Sequence, residues 1–136
     1  MVPAAANNDG KRKADGVKDR ILVVDDNKDA ADSLTMILML KGHEARTAND
    51  GPTAITLGAE FLPRVIILDL GMPGLNGYDT ARHIRTTPWG KDTLLIALTG
   101  WGQPEDKQRC IDAGFDFHLT KPVEPDELAQ LLADNV

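Results

Sequence analysis

The sequence predicts an α/β fold built on a five-stranded parallel sheet with helices on both faces. From Arg20 onward, short β-like runs alternate five times with segments long enough to form helices, and this alternation is typical of βαβ units. The runs at 21–24 and 65–68 are apolar throughout, as expected for strands that are buried on both faces of a parallel sheet.

The first two strand–helix pairs occupy the N-terminal half of the predicted domain. The first strand is ILVV at 21–24, and the helix after it covers 28–41, with apolar residues near helical spacing until Gly42 ends it. A weaker strand, EARTA, follows at 44–48. The segment 49–61 opens with turn residues and a first-turn proline, which predicts a second helix after the turn.

The third strand, RVIILD at 64–69, is the strongest β signal in the chain. After a loop rich in glycine, residues 78–87 indicate a third helix that a proline and a glycine terminate. The fourth strand lies within 93–100 and ends at Thr99. The fourth helix is predicted over 104–114, with a proline and acids in its first turn and a glycine at its end.

The fifth strand is short. It lies within FDFHLTKP at 115–122 and ends at Lys121 and Pro122. The segment EPDELAQLLADN at 124–135 follows and predicts the last helix.

Composition narrows the class of protein. A chain of 136 residues fits one domain, placed at 19–136, while residues 1–18 carry almost nothing to bury and are expected to be a disordered leader or linker. The formal charge of -6 argues against nucleic acid or anionic lipid as a partner. The single Cys110 excludes an internal disulfide and a Cys-based zinc site. Because that cysteine has no partner for a disulfide, we expect a reducing, cytoplasmic location. No apolar run approaches the roughly 18 residues of a membrane span, so we expect no membrane contact by this domain.

Polar residues stand at the ends of four predicted strands. They are Asp25 and Asp26, Asp69, Thr99 and Lys121. The carboxyl ends of strands in an open α/β sheet lie at one edge, where ligands bind, so these side chains should converge. Three carboxylates in one place repel one another, and a hard divalent cation would relieve that repulsion. Oxygen ligands of this kind predict a Mg²⁺ site that shares its coordination shell with a phosphoryl group.

Each of these residues also has a structural interpretation. Asp25 or Asp26 could cap the following helix or bond loop amides, and Asp69 could be an acid solvated in a loop. Thr99 could be structural and Lys121 a surface charge. The convergence of all five at one edge favours a functional site over five independent structural roles.

Four segments resemble the receiver domain of two-component response regulators. They are VVDDN at 23–27, ILDLGMPGLNGYD at 67–79, ALTG at 97–100 and AGFDFHLTKP at 113–122. The similarity covers residues 19–134, and the last two segments are most similar to receivers of hybrid sensor histidine kinases. The resemblance implies a flavodoxin-like (βα)5 three-layer sandwich with a parallel sheet in the order 2-1-3-4-5.

The resemblance also implies roles for the strand-end residues. Asp69 would be the phosphoacceptor, taking its phosphoryl group from a phosphohistidine on a histidine kinase or a histidine phosphotransfer protein. Asp26, Asp69 and the backbone carbonyl of Gly71 would ligate Mg²⁺, and Asp25 would act through water. Lys121 would pair with Asp69 or with the phosphoryl group.

Switching is implied for two further positions. Thr99 would turn its hydroxyl towards the phosphoryl group, and Pro122 would follow a cis peptide bond. His118 occupies the position at which the family usually has an aromatic switch residue. Histidine is smaller and titratable, so His118 departs from the family pattern. The alternative interpretation is an exposed histidine on an edge strand with no switching role.

Two further residues bear on the lifetime of the phosphoryl group. Gly71 would leave it open to attacking water, whereas the bulky Trp101 would partly cover it.

Three other functions fit the sequence less well than that of a receiver. A Mg²⁺-dependent phosphohydrolase with an aspartyl nucleophile generally has a second acid two residues after it, where this chain has Gly71. A flavodoxin-like cofactor carrier would need a phosphate-binding loop after the first strand, where DDNKD would repel a phosphate. A docking module without phosphotransfer would not need all five site residues.

The surface formed by helix 4, strand 5 and helix 5 is expected to contact partners. A homodimer through this surface is a further expectation. The chain would be either a free-standing receiver or part of a larger protein.

Overall fold

The computed structural model describes residues 19–71, 77–100 and 107–135, apart from the side chain of Lys107. Strands and helices alternate strictly along these ranges. The strands are β1 Arg20–Val24, β2 Glu44–Ala48, β3 Val65–Asp69, β4 Leu94–Thr99 and β5 Phe117–Thr120. The helices are α1 Lys28–Leu40, α2 Gly51–Phe61, α3 Gly77–Thr86, α4 Lys107–Ala113 and α5 Pro125–Asn135. None of these helices combines the length and the apolar character that a bilayer crossing requires.

All neighbouring strands run parallel, and the sheet has the order β2-β1-β3-β4-β5. This is the order that the resemblance implied, so the predicted α/β architecture is confirmed. β3 lies at the centre of the sheet, and all five of its residues, Asp69 included, are buried. The segment with the strongest β pattern in the sequence therefore forms the strand that is buried along its whole length.

The sheet separates two apolar layers. Alternate residues of a strand point to opposite faces, and Leu22 and Val24 of β1 accordingly pack with residues of α2, α3 and α4. Ile21 and Val23 point the other way and pack with residues of α1 and α5. Burial of a single large aliphatic side chain stabilises a fold by about 1.5–3 kcal/mol, so the two layers together fix the position of each strand.

Two helix starts are set by side chains in short loops. Asn27 Oδ1 accepts a hydrogen bond of 3.0 Å from the Ala30 backbone N–H, and Asp50 Oδ1 accepts one of 2.7 Å from that of Thr53. Such caps satisfy backbone donors that have no partner within the helix. The cap of α1 is therefore Asn27, and the interpretation of Asp25 or Asp26 as that cap is wrong. The other structural role expected of these acids, a bond to a loop amide, is confirmed for Asp25, whose Oδ1 accepts from the Asn27 backbone N–H at 3.0 Å.

Several predicted boundaries shift by a residue or more. β5 ends at Thr120, so Lys121 follows the strand instead of ending it, and α3 begins at Gly77. The predicted start of the fourth helix at Pro104 and the predicted leader at 1–18 lie outside the described residues.

The edge of the sheet opposite the carboxyl ends is held by Arg85 of α3. Its guanidinium donates to five acceptors in the loops before β4 and β5: the carbonyls of Gly90, Lys91, Thr93 and Gly114 and the carboxylate of Asp116. Gly114 has a φ of +101°, and a Cβ there would lie 2.7 Å from Arg85 Cγ. Glycine therefore allows the arginine stem to approach this loop.

Gly58→Ala tests how tightly α2 packs against the loop after α3. A Cβ at Gly58 would lie 2.2 Å from Cη2 of Trp89, so the substitution should lower the free energy of unfolding by about 1–3 kcal/mol. In an exposed helix the same change would raise it by up to about 1 kcal/mol. Urea denaturation gives the change in the free energy of unfolding. When Gly58→Ala is introduced into a chain that already carries Trp89→Leu, it should cost much less stability than it does in the wild type. A Gly58→Ala variant as stable as the wild type would contradict this packing.

Candidate functional site

Three carboxylates meet at the carboxyl edge of the sheet. Asp25 and Asp26 follow β1, and Asp69 is the last residue of β3, the neighbouring strand. Each of the three offers a carboxylate oxygen within 4.8 Å of the other two. Asp25 and Asp69 are each only 3% exposed, whereas Asp26 is exposed to solvent. The predicted convergence of the acids is confirmed.

Lys121 lies between two of these carboxylates. Its Nζ is 2.6 Å from Asp69 Oδ2 and 3.4 Å from Asp25 Oδ2. The backbone N–H of Lys121 donates to the Thr99 carbonyl at 2.8 Å, and the Lys121–Pro122 peptide bond is cis. The lysine predicted from the end of the fifth strand thus lies against the predicted nucleophile.

The second oxygen of Asp69 is also bonded. Its Oδ1 accepts a hydrogen bond of 2.8 Å from the backbone N–H of Gly71. Leu70 in turn donates its backbone N–H to the carbonyl of Leu98 in β4. The carboxylate is therefore held from both sides at the end of a buried strand.

The charges in the site oppose one another. Burial raises the pKa of Asp25, and the nearby Asp69 raises it further, while the Asn27 N–H and the Lys121 ammonium act against this rise. Partial burial acts to lower the pKa of Lys121, but its hydrogen bond to Asp69 and the charges of Asp69 and Asp25 outweigh it and raise that pKa. The ionised Asp25 is thus unfavourable for folding, and the protonated Lys121 is favourable.

The donor set fits a divalent cation. One ammonium balances only one of three carboxylate charges, so the cluster keeps an excess of negative charge. Carboxylate oxygens at this separation, one of them exposed, suit Mg²⁺, which takes oxygen ligands and retains several waters.

Thr99 and His118 lie on the same face of the sheet. Thr99 is buried, and its hydroxyl donates to the Leu119 carbonyl at 3.4 Å. His118 pairs with Ala97 in the register of β4 and β5, and Ala97 packs in the layer that contains α4 residues. His118 is exposed there, which agrees with the alternative interpretation of an edge-strand histidine, while its predicted switching role stays a prediction.

Sequence reasoning missed Asn49, the residue that follows β2. Its Nδ2 donates a hydrogen bond of 2.8 Å to the backbone carbonyl of Asp25. The rule that drew attention to the other strand ends applies to β2 as well, and a polar residue directly after Ala48 was the available signal.

A groove opens beside the carboxylates. It has a volume of about 510 Å³ and runs between α1 and the segment after β5. Asp25 and Lys121 line one part of it, and apolar side chains such as Ile37 and Val123 line the rest. The groove therefore joins an apolar surface to the charged site.

The family model for the response regulator receiver domain matches residues 21–133. An uncharacterised 14.6 kDa protein of Leptolyngbya boryana is 37% identical over 112 residues, which cover 82% of this chain and 86% of that protein. The DNA-binding response regulator MtrA of Mycobacterium tuberculosis is 34% identical over 114 residues, 84% of this chain. Those residues span 49% of MtrA, so the chain covers about half the length of that relative.

Solved structures share the fold. Chemotaxis protein CheY4 of Vibrio cholerae superposes with a TM-score of 0.82 at 29% identity, covering 88% of this chain and all of that chain. The receiver domain of sensor histidine kinase PA1611 from Pseudomonas aeruginosa superposes with a TM-score of 0.77 at 29% identity, covering 87% and 97%. That receiver domain has a magnesium ion coordinated in its active-site cleft.

Asp25→Asn tests the electrostatic tension in the site. With a chelator present at neutral pH, the variant should unfold at a higher temperature than the wild type, because a buried ionised carboxylate is replaced by a neutral amide. The pKa of Asp25 is raised in the folded protein. As the pH falls through that pKa, Asp25 takes up a proton, and the unfolding temperature of the wild type should rise towards that of the variant. Thermal unfolding between acid and neutral pH checks both statements. The control is Asp79→Asn, at an exposed acid of α3, which should change the unfolding temperature little. If Asp25→Asn were less stable than the wild type at neutral pH, the ionised Asp25 would not be unfavourable for folding.

Proposed function

Since the chain belongs to the response regulator receiver domains of two-component signalling, we propose that Asp69 is its phosphoacceptor. The proposal is carried by one observation: Asp69 is a buried carboxylate bonded to Lys121 at 2.6 Å, beside two further acids. Nothing in the packing of the sheet requires an acid at the end of its central strand. The arrangement suits a nucleophile that must be held in one position.

The proposed donor is a phosphohistidine on a histidine kinase or a histidine phosphotransfer protein. An oxygen of Asp69 forms a bond to phosphorus while the bond from phosphorus to the imidazole nitrogen breaks. The electron pair of that bond stays on the nitrogen, which can then take up a proton. Because phosphoryl transfer depends mainly on positioning and charge neutralisation, the fixed Asp69 carboxylate and the Lys121 ammonium would supply most of what the chain contributes.

Mg²⁺ is the proposed cofactor. Asp26, Asp69 and the carbonyl of Gly71 would hold it directly, and Asp25 would do so through water. When bound, it neutralises charge on the oxygens of the transferring group. The separation of the three carboxylates supports this ligand set, as does the magnesium in the Pseudomonas aeruginosa receiver domain.

Phosphorylation would change the surface formed by α4, β5 and α5. The Thr99 hydroxyl, now bonded to the Leu119 carbonyl, would turn to a phosphoryl oxygen. His118 lies on the same face as Thr99, so its reorientation would carry the change to the surface. A homodimer through α4, β5 and α5 is one form that the output could take.

We propose that the partner contacts the groove beside α1 to reach Asp69. The apolar lining of this groove adjoins Asp25 and Lys121. We propose a cytoplasmic setting, either as a free-standing receiver or within a longer protein such as a hybrid sensor histidine kinase.

A Mg²⁺-dependent phosphohydrolase is the alternative function. It would use the same nucleophile and cation, but it would need an acid or base beside the nucleophile to activate water. Gly71 occupies the expected position of that group and has no side chain. A docking module without phosphotransfer is disfavoured because the ion pair between Lys121 and Asp69 is intact.

Incubation with a small phosphodonor and Mg²⁺ tests the phosphoacceptor. Intact-protein mass spectrometry should find one added phosphoryl group on the wild type and none on Asp69→Asn. Asp79→Asn is the matched control, because Asp79 is an exposed acid on α3, and it should be modified like the wild type. An adduct on Asp69→Asn, or none on a wild type that binds Mg²⁺, would reject the proposal.

Gly71→Arg tests the openness of the phosphoryl site. Among the described residues, a Cβ at Gly71 would meet only Asp69 Oδ1, at 3.4 Å, an ordinary van der Waals distance. The long arginine should obstruct water and slow dephosphorylation roughly three- to tenfold, equivalent to about 0.7–1.4 kcal/mol in the barrier. Loss of the phosphorylated species over time gives the rate, and the short side chain of Gly71→Ala should have a smaller effect. An unchanged rate in Gly71→Arg would disprove the idea.

A further inference from the structure

The loop between β1 and α1 carries two of the three site carboxylates, and the side chain of the residue directly after β2 holds it. We propose that Asn49 is a positioning residue for this loop and sets the affinity of the site for Mg²⁺. The inference rests on the proposed function, because it concerns the same cation site. Asn49 itself contributes no charge and touches neither Asp69 nor Lys121 among the described hydrogen bonds.

Both backbone polar groups of Asp25 are fixed by the end of β2. The Asp25 N–H donates to the Ala48 carbonyl at 3.1 Å, which extends the ladder between β1 and β2 by one bond. The Asp25 carbonyl accepts from Asn49 Nδ2 at 2.8 Å. Two consecutive residues of one strand end therefore hold the first residue of the loop from both sides.

The planarity of the peptide bond passes this constraint to Asp26. The carbonyl of Asp25 and the nitrogen and Cα of Asp26 lie in one rigid plane. When Asn49 fixes the direction of that carbonyl, it also fixes where Asp26 begins. Only three residues separate β1 from α1, and the last of them, Asn27, is held by its cap on Ala30. The orientation of one peptide plane thus restricts the positions that the exposed Asp26 carboxylate can take.

Electrostatics explains why an amide suits this position. Repulsion among three carboxylates favours loop conformations that move Asp26 away from Asp25 and Asp69. Lys121 reduces the repulsion, but it does so by pairing with Asp69 and Asp25, two of the carboxylates that a cation would need. The amide of Asn49 acts on a backbone carbonyl instead, so it stabilises the gathered arrangement without competing for the carboxylates.

Mg²⁺ titration of the unphosphorylated protein, followed by backbone amide NMR shifts, tests the proposal. Asn49→Ala removes the hydrogen bond and should raise the Mg²⁺ dissociation constant roughly three- to tenfold, the range expected for one net hydrogen bond. Asn135→Ala is the matched control: Asn135 is an exposed asparagine whose Nδ2 donates to the Leu131 carbonyl at 2.9 Å, at the end of α5. Its dissociation constant should equal that of the wild type.

Phosphorylation by a small phosphodonor at increasing Mg²⁺ gives the second readout. For Asn49→Ala, the half-saturating Mg²⁺ concentration should rise by the same factor, and the rate at saturating Mg²⁺ should stay within about twofold. An unchanged dissociation constant, or a lower saturating rate with unchanged half-saturation, would overturn the inference. A wild type that binds Mg²⁺ but accepts no phosphoryl group would overturn the proposed function alone, because the two dissociation constants still decide the role of Asn49.

Discussion

The mutual repulsion of Asp25, Asp26 and Asp69 is the constraint on which the rest of the structure depends. Three carboxylates with oxygens within 4.8 Å of one another would separate if their backbones were free to move. They stay together because the parallel sheet fixes two neighbouring strand ends, and because Lys121 bridges Asp69 and Asp25. The pKa of Asp25 is raised first by burial and then by the neighbouring Asp69, so the repulsion adds to a cost that burial already imposes on the ionised acid.

The fold meets this constraint by rigidity at both edges of the sheet. β3 is buried along its whole length between β1 and β4, so Asp69 cannot retreat into solvent. At the opposite edge, Arg85 ties α3 to the loops that precede β4 and β5, and the Trp89 ring fills the space that a side chain at Gly58 would need. These contacts all lie at the strand starts, away from the carboxylates that meet at the strand ends.

Sequence patterns predicted the architecture and the acids, but not the contacts that position them. Continuous apolar runs specify buried parallel strands, and the strand-end rule then locates Asp25, Asp69 and Thr99. Side-chain bonds to backbone carbonyls depend on which strands are neighbours and on their register. The role of Arg85 follows from such bonds, and no periodicity in the sequence indicates it. The strand-end rule could have located Asn49, but not the backbone carbonyl to which it donates. The exact helix starts are equally local: Asn27, and neither of the acids before it, caps α1.

The partner of Lys121 provides a physical basis for two states of the domain. In the structure described, the ammonium pairs with the charged carboxylate of Asp69. In the proposed acyl phosphate, that carboxylate has become an ester-like group, and the negative charge lies on the phosphoryl oxygens instead. Lys121 and the Thr99 hydroxyl would then gain by turning to those oxygens, and the present Thr99 bond to the Leu119 carbonyl would be given up. A modification can shift a conformational equilibrium only through contacts that differ between the states, and the proposed exchange of partners would supply that difference on the face that carries His118.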